Sequence, residues 1–70
     1  MADNIVRKRF GKRIRKFRKE RGMSQEQLAL VATIERSYLG AIERGERSPT
    51  LDKIASIAKA LRVKPSQLLD

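Results

Sequence analysis

The stretch SQEQLALVATIERSYLGAIERGERSP, Ser24 to Pro49, decides how this chain is read. Two short helical patterns lie within it, a few residues apart. Ser24 opens the first, and Gln27 three positions on completes a capping box, in which each side chain satisfies the other residue's backbone N–H. The buried face of this helix is Leu28, Ala29 and Ala32, and Ala29 is small enough for another helix to approach closely. A break at Thr33–Glu35 leads into the second pattern, which ends before Gly45. Ile34, Leu39 and Ile42 give it an apolar stripe. Its N-terminal end is different, because Arg36, Ser37 and Tyr38 cluster there. A helix so short, with a hydrogen-bonding end turned from its core, has that end free for a partner.

Working outward, IVRKRFGKRIRKFRKER at 5–21 places Val6, Phe10, Ile14 and Phe17 on one helical stripe amid Lys and Arg. Gly22 follows, in the usual place just past a helix end. On the other side, GERSPT reads as a turn-rich loop in which Pro49 stops any helix. Thr50 is suited to cap LDKIASIAKAL, whose Leu51, Ile54, Ile57, Ala58 and Leu61 mark one face. In KPSQLLD, Pro65 takes the first position of a last short helix. No alternation of strand type occurs. The expectation is all-α: a compact five-helix domain with a helix-turn-helix, one domain over residues 1–70, with 1–9 as a basic N-terminal extension of the first helix.

Seventy residues allow one small core, and 40% apolar content suffices for it. Lys and Arg outnumber Asp and Glu by 17 to 8, for a formal charge of +9. Such a balance points to a polyanion, nucleic acid first and an anionic membrane surface second. The excess is uneven: residues 1–22 carry ten basic groups against two acidic, whereas residues 23–49 carry three against four. With no cysteine and no histidine, disulfide scaffolds, thiolate nucleophiles and the usual zinc cages are excluded. No apolar run approaches membrane-span length, and MADNIVRKRF lacks the apolar core of a signal peptide. A soluble cytoplasmic protein is expected.

A DNA major groove is about 12 Å wide and admits one helix while the preceding helix braces on the backbone. Side chains near the inserted end meet base edges, so that end needs donors and acceptors. The planar fork of Arg36 suits guanine O6 and N7. Ser37 reaches a base or a phosphate, and Tyr38 donates to a phosphate or lies on a thymine methyl. Against this stand plainer alternatives: Arg36 as a solvated arginine, Tyr38 as a partial core residue, and the cations of the first helix as a solvated face.

Several motifs in fixed order then become specific. RKERGMSQEQLA, RSYLGAIERG, PTLDKIASIAKAL and VKPSQLL together resemble the Xre/Cro family of helix-turn-helix regulators, which includes phage repressors. The match spans about residues 10–69, and ERSYLGAIERGERS is similar to the controller proteins of restriction–modification systems. The resemblance implies that Gln25 contacts a phosphate, that Arg36, Ser37 and Ala41 face bases, and that Tyr38 and Arg47 contact the DNA backbone. It also implies a buried ion pair between Arg18 and Glu43. Ala41 stands where relatives place a glutamine, which leaves at most an apolar contact to a thymine methyl. Thr33 stands where many relatives have glycine, and positive φ is costly for a β-branched residue. Either the turn differs here or the chain tolerates strain. Glu35 stands where Ser or Thr often caps, and its carboxylate still favours a helix N-terminus.

The function expected from the resemblance is a sequence-specific regulator that reads a palindromic operator in double-stranded DNA as a homodimer. Leu61, Val63, Leu68 and Leu69 crowd the last ten residues and are the expected dimer interface, the alternative being that they close the core. Glu43, Glu46 and the surface of the second and third helices are candidate contacts for RNA polymerase. The rival reading is an antitoxin-like or structural protein that binds a protein partner through the same fold. A membrane partner is not expected, because core packing accounts for the apolar stripe of the first helix. With scattered carboxylates, no glycine-rich phosphate loop and little room for a pocket, neither an enzyme, a cofactor nor a small-molecule ligand is expected.

Overall fold

Three of the five helices begin on a side-chain bond that the sequence supplies. A computed structural model describes residues 2–69; the domain's terminal residues 1 and 70 lie outside the described residues. It contains α1 (Ala2–Glu20), α2 (Gln25–Ala32), α3 (Arg36–Glu43), α4 (Leu51–Leu61) and α5 (Pro65–Leu69), with no strand among the described residues. At α2 the capping box forms as expected: Gln27 N–H donates to Ser24 Oγ at 3.1 Å and Ser24 N–H to Gln27 Oε1 at 2.7 Å. Thr50 Oγ1 accepts from Lys53 N–H at the start of α4. Lys64 N–H donates to Gln67 Oε1 across the first turn of α5, where Pro65 is the first helical residue.

The helix ends share one device. After α1, α2, α3 and α4 the chain turns through a left-handed residue: Gly22 (φ 65°), Thr33 (φ 60°), Gly45 (φ 77°) and Arg62 (φ 60°). In each, the following N–H reaches back to a carbonyl five residues earlier, as in Met23 to Arg18 at 3.0 Å and Ile34 to Ala29 at 2.9 Å. Glycine fills two of these positions without penalty. At the other two, a threonine and an arginine are held in a conformation that L side chains rarely adopt. The turn between α2 and α3 therefore keeps the geometry that glycine gives elsewhere, and the chain carries the strain at Thr33.

Every helix contributes to one core. Ile14, Leu28, Leu39, Ile42, Ile57, Leu61 and Leu68 are fully buried, and Phe10, Ala29, Ala32 and Ala58 are nearly so. Each fully buried aliphatic side chain is worth about 1.5–3 kcal/mol relative to exposure. α1 crosses the C-terminal end of α3 at Gly11. A methyl group there would sit 2.6 Å from the Glu43 carbonyl oxygen and closer still to that of Ile42. The glycine interrupts a run of good helix formers because two backbones touch at that point.

Three sequence expectations need correction. Val6 is 58% exposed, since it lies a full turn beyond Phe10, past the other described core residues of α1. Leu51, at 83%, is also outside the core. It opens α4, and helical side chains lean toward the N-terminus, so it projects past the body of the domain. Leu61 and Leu68 are not available as a dimer interface: α5 folds back against α1 and α4, and both leucines close the core with no exposed surface. Of the proposed interface, Val63 is half-buried against the core and Leu69 is exposed.

Candidate nucleic-acid interface

α3 has only eight residues, two turns or about 12 Å of helix. Leu39, Gly40, Ile42 and Glu43 take its inner face, which leaves Arg36 and Ser37 exposed at its N-terminal end and Tyr38 and Ala41 half-buried beside them. Glu35 occupies the cap position in extended conformation but makes no side-chain cap bond. The first N–H groups of α3 thus keep their partial positive charge alongside the Arg36 guanidinium. The end that the sequence marks as polar is open to solvent and donor-rich, on a helix about as long as the major groove is wide.

Two supports flank this end. On the α2 side, Gln25 lies in a crevice with Arg18, Ser24, Glu26 and Arg36. Its Nε2 donates to Glu43 Oε1 at 3.0 Å, which fixes the amide against α3. The backbone N–H groups of Gln25 and Glu26, first in α2, have no intrahelical partner and face the same anion-favouring end. On the opposite side, the Arg47 guanidinium lies over the Tyr38 ring, 5.2 Å from its centroid. Thr33, Tyr38, Ala41, Arg47 and Lys53 line one shallow cleft. The structure thus brings Ser37, Tyr38, Ala41 and Arg47 to one cleft and Gln25 and Arg36 to a second, with Arg36 and Ser37 adjacent in α3; Leu61, Val63, Leu68 and Leu69 line neither.

Beneath the face sits the ion pair. Arg18 Nε is 2.7 Å from Glu43 Oε2 and Nη2 is 3.0 Å from Oε1, with only 8% and 9% of the two residues exposed. The pairing implied by the resemblance is therefore present. It also removes Glu43 from the candidate polymerase contacts, because a carboxylate that accepts bonds from Arg18 and Gln25 inside the domain has no surface to offer. Glu46 is exposed and pairs with Arg44 at 3.1 Å.

One member of the face was not singled out in the sequence. Lys53, in the first turn of α4, joins the cleft beside Arg47. A signal existed: a cation in a first turn opposes the helix dipole, so a lysine three residues after the Thr50 cap calls for a reason other than helix stability. Among the described residues, no group of three or more acidic or metal-ligating side chains stands together, and no helix is long and apolar enough to cross a membrane.

A short helix presenting arginine and serine outward, preceded by a braced helix and a tight turn, defines a helix-turn-helix DNA-binding regulator. The chain belongs to the helix-turn-helix family, whose family profile, described as Helix-turn-helix, matches residues 14–68. It is 46% identical over 68 residues to control protein C.BamHI of Bacillus amyloliquefaciens, covering 96% of this chain and 84% of that one. Its fold superposes on the crystal structure of the restriction–modification controller protein C.AhdI of Aeromonas hydrophila with a TM-score of 0.87 and 41% identity, over 97% and 98% of the two chains. Against SinR, the master regulator for biofilm formation, crystallised in complex with DNA, the TM-score is 0.84 and the identity 37%, over 87% and 98%. The SinR sequence is that of Bacillus subtilis.

Proposed function

We infer that this chain reads a two-fold symmetric operator in double-stranded DNA as a homodimer, and that it controls transcription within a restriction–modification system, the role named for C.AhdI. The function is binding, without catalysis. Arg36 and Ser37 supply the base contacts, Ala41 an apolar one, and Gln25, Tyr38 and Arg47 grip the backbone. The observation that carries this reading is the setting of Arg36 and Ser37: both are exposed on one end of α3, between a glutamine anchored to Glu43 and an arginine stacked on Tyr38.

One recognition helix reads too few base pairs to find a site in a genome, and two related by a dyad double the information. Half-sites about 10 base pairs apart place both helices on one side of the duplex. The exposed Leu69, with Val63 beside the core, is the surface we assign to self-association. For contact with RNA polymerase, Glu46 and the exposed outer side of α2 are the candidates.

The test is a selection-based binding profile of wild type and Arg36→Ala. The variant should lose about 1–3 kcal/mol on the selected site and relax preference at one base pair, while affinity for unrelated DNA falls much less. An unchanged base preference sinks the assignment.

A further inference from the structure

The largest concentration of charge in the molecule is not on the reading face. α1 meets α3 and the turn that follows it through Arg7, whose Nε lies 3.4 Å from the Gly45 carbonyl, through Gly11 against the end of α3, and through Arg18 on Glu43. At about 100° per residue, Arg9, Lys12, Arg13 and Lys16 lie roughly 120–220° around the helix from those three, and Lys8, at roughly 80°, lies on the flank beside Gly45. They line one shallow channel along α1 together with Ile5, and all but Arg13 are exposed. Among the described residues none of the five has a carboxylate within ion-pair distance. Like charges at i, i+3 and i, i+4 oppose helix formation, so this stripe weakens the element that carries it. Folding does not account for its being there.

Its placement sets it apart from the reading face. α1 sits on the inner side of α3, against Ile42 and Glu43, while Arg36 and Ser37 face the other way. Beyond Lys8, whose stem packs against Gly45, the stripe is turned away again from that contact. With Arg36 and Ser37 on one side of the α1–α3 contact and Arg9, Lys12, Arg13 and Lys16 on the other, the stripe is placed for a duplex apart from the one along the end of α3. The chemistry nevertheless fits a duplex. Five cations over about 12 Å of helix give a linear charge density comparable with the one negative charge per about 1.7 Å of B-DNA. The stripe also lacks the features of a base-reading surface: it is all cation, with no amide or hydroxyl among its polar groups and no protruding helix end.

We propose that the outward face of α1 is a second, sequence-independent binding surface for the phosphate backbone of double-stranded DNA, occupied by a duplex other than the one that α3 reads. The protein then bridges two segments of DNA, one held by sequence and one by charge. The bridging rests on the reading assigned to α3; the α1 surface itself does not.

The experiment uses the full chain and two duplexes: one recovered by binding selection and immobilised, and a fluorescent one of mixed sequence free in solution. Wild type on the immobilised duplex should recruit the free one. The R9Q/K12Q/R13Q/K16Q protein should hold the immobilised duplex within about twofold of wild type and lose most recruitment, and its plot of log K against log salt on mixed-sequence DNA should be shallower by about 0.9 for each phosphate contact removed. Arg36→Ala should bind the mixed-sequence duplex with the wild-type slope, which tests the α1 face independently of α3. If the glutamine variant lost helical circular dichroism, K12A/K16A, with the best helix former at both sites, would be read out in the same way.

Undiminished recruitment by the α1 variant overturns the proposal. So does a parallel fall in affinity for the immobilised duplex, which would put the stripe on the same DNA. Capture of wild type by phosphatidylglycerol vesicles, with no recruitment of a second duplex, would assign the stripe to a membrane surface and overturn it too. Failure of the α3 reading shows separately, as an unchanged base profile for Arg36→Ala.

Discussion

Arg18 and Glu43 meet inside the domain as a two-pronged pair, at 2.7 and 3.0 Å, and Glu43 Oε1 accepts a further bond from Gln25 Nε2 at 3.0 Å. Arg18 Nη1 meanwhile donates to the Met23 carbonyl at 2.8 Å. One carboxylate thus joins the end of α1, the start of α2 and the end of α3. Glu43→Ala strands a buried guanidinium and should cost about 3–5 kcal/mol in urea unfolding, whereas Arg18→Met with Glu43→Leu should cost far less, because apolar replacement also removes the desolvation penalty. The double variant should still bind its operator more weakly, since Gln25 has lost its anchor. Wild-type affinity in that protein would mean that Gln25 needs no support from Glu43.

Thr33 holds φ 60° and ψ 47° at the turn between α2 and α3. That conformation costs a non-glycine residue about 1–2 kcal/mol, and the exposed Thr33 side chain contributes little packing in return. Thr33→Gly removes the strain but adds freedom to the unfolded chain. The net gain should be about 0.5–1 kcal/mol, a rise in Tm of a few degrees for a domain of this size. Arg62→Gly should behave alike, as it holds the same φ at the end of α4. A lowered Tm in both variants would show that the left-handed turns are not strained.

The Arg47 guanidinium over the Tyr38 ring predicts coupling between the two. Cation–π contacts of this kind are worth about 0.5–1 kcal/mol at exposed sites, enough to bias where an arginine points. Tyr38→Ala should therefore weaken DNA binding and, in a double-mutant cycle, make Arg47→Ala nearly silent. Tyr38→Phe keeps the ring under Arg47 and removes only the hydroxyl, so any loss it shows measures a direct phenol contact. Strictly additive effects of Tyr38→Ala and Arg47→Ala on affinity would dismiss the positioning role.

Caps, turns and apolar periods near the middle of the chain were legible because they act locally. Ser24 with Gln27, Thr50, Pro65 and the Leu28–Ala29–Ala32 face are all where the sequence put them. The stripe over 5–21 was right at Phe10 and Ile14 but failed at Val6, since periodicity tells which face an apolar residue takes and not how far its neighbours extend. Leu51 failed for the same reason at the start of α4. The polar end of α3 was visible in Arg36 and Ser37, but the bond from Gln25 to Glu43 and the arrival of Lys53 beside Arg47 depend on how helices distant in sequence cross. Gly11 carried an unused sign, because a lone glycine inside a helical pattern usually marks close packing.

Leu68 and Leu69 are neighbours in α5 with opposite surroundings: Leu68 is fully buried, and Leu69 is 53% exposed. The fold therefore separates stability from self-association at adjacent positions. Leu68→Ala empties part of the core where α5 meets α1 and α4, and should cost about 2–5 kcal/mol of stability. Leu69→Glu removes no buried contact of that kind and should leave helical circular dichroism and the unfolding midpoint near wild type. If the exposed end of α5 is where two copies meet, a charge there opposes burial of the joint surface, and sedimentation equilibrium should show weaker self-association together with weaker operator binding. The exposed Val6 lies on α1, which packs against α5, so Val6→Glu is the companion variant. Should Leu69→Glu and Val6→Glu both associate and bind the operator as wild type does, the dimer contact must lie on another face of the domain.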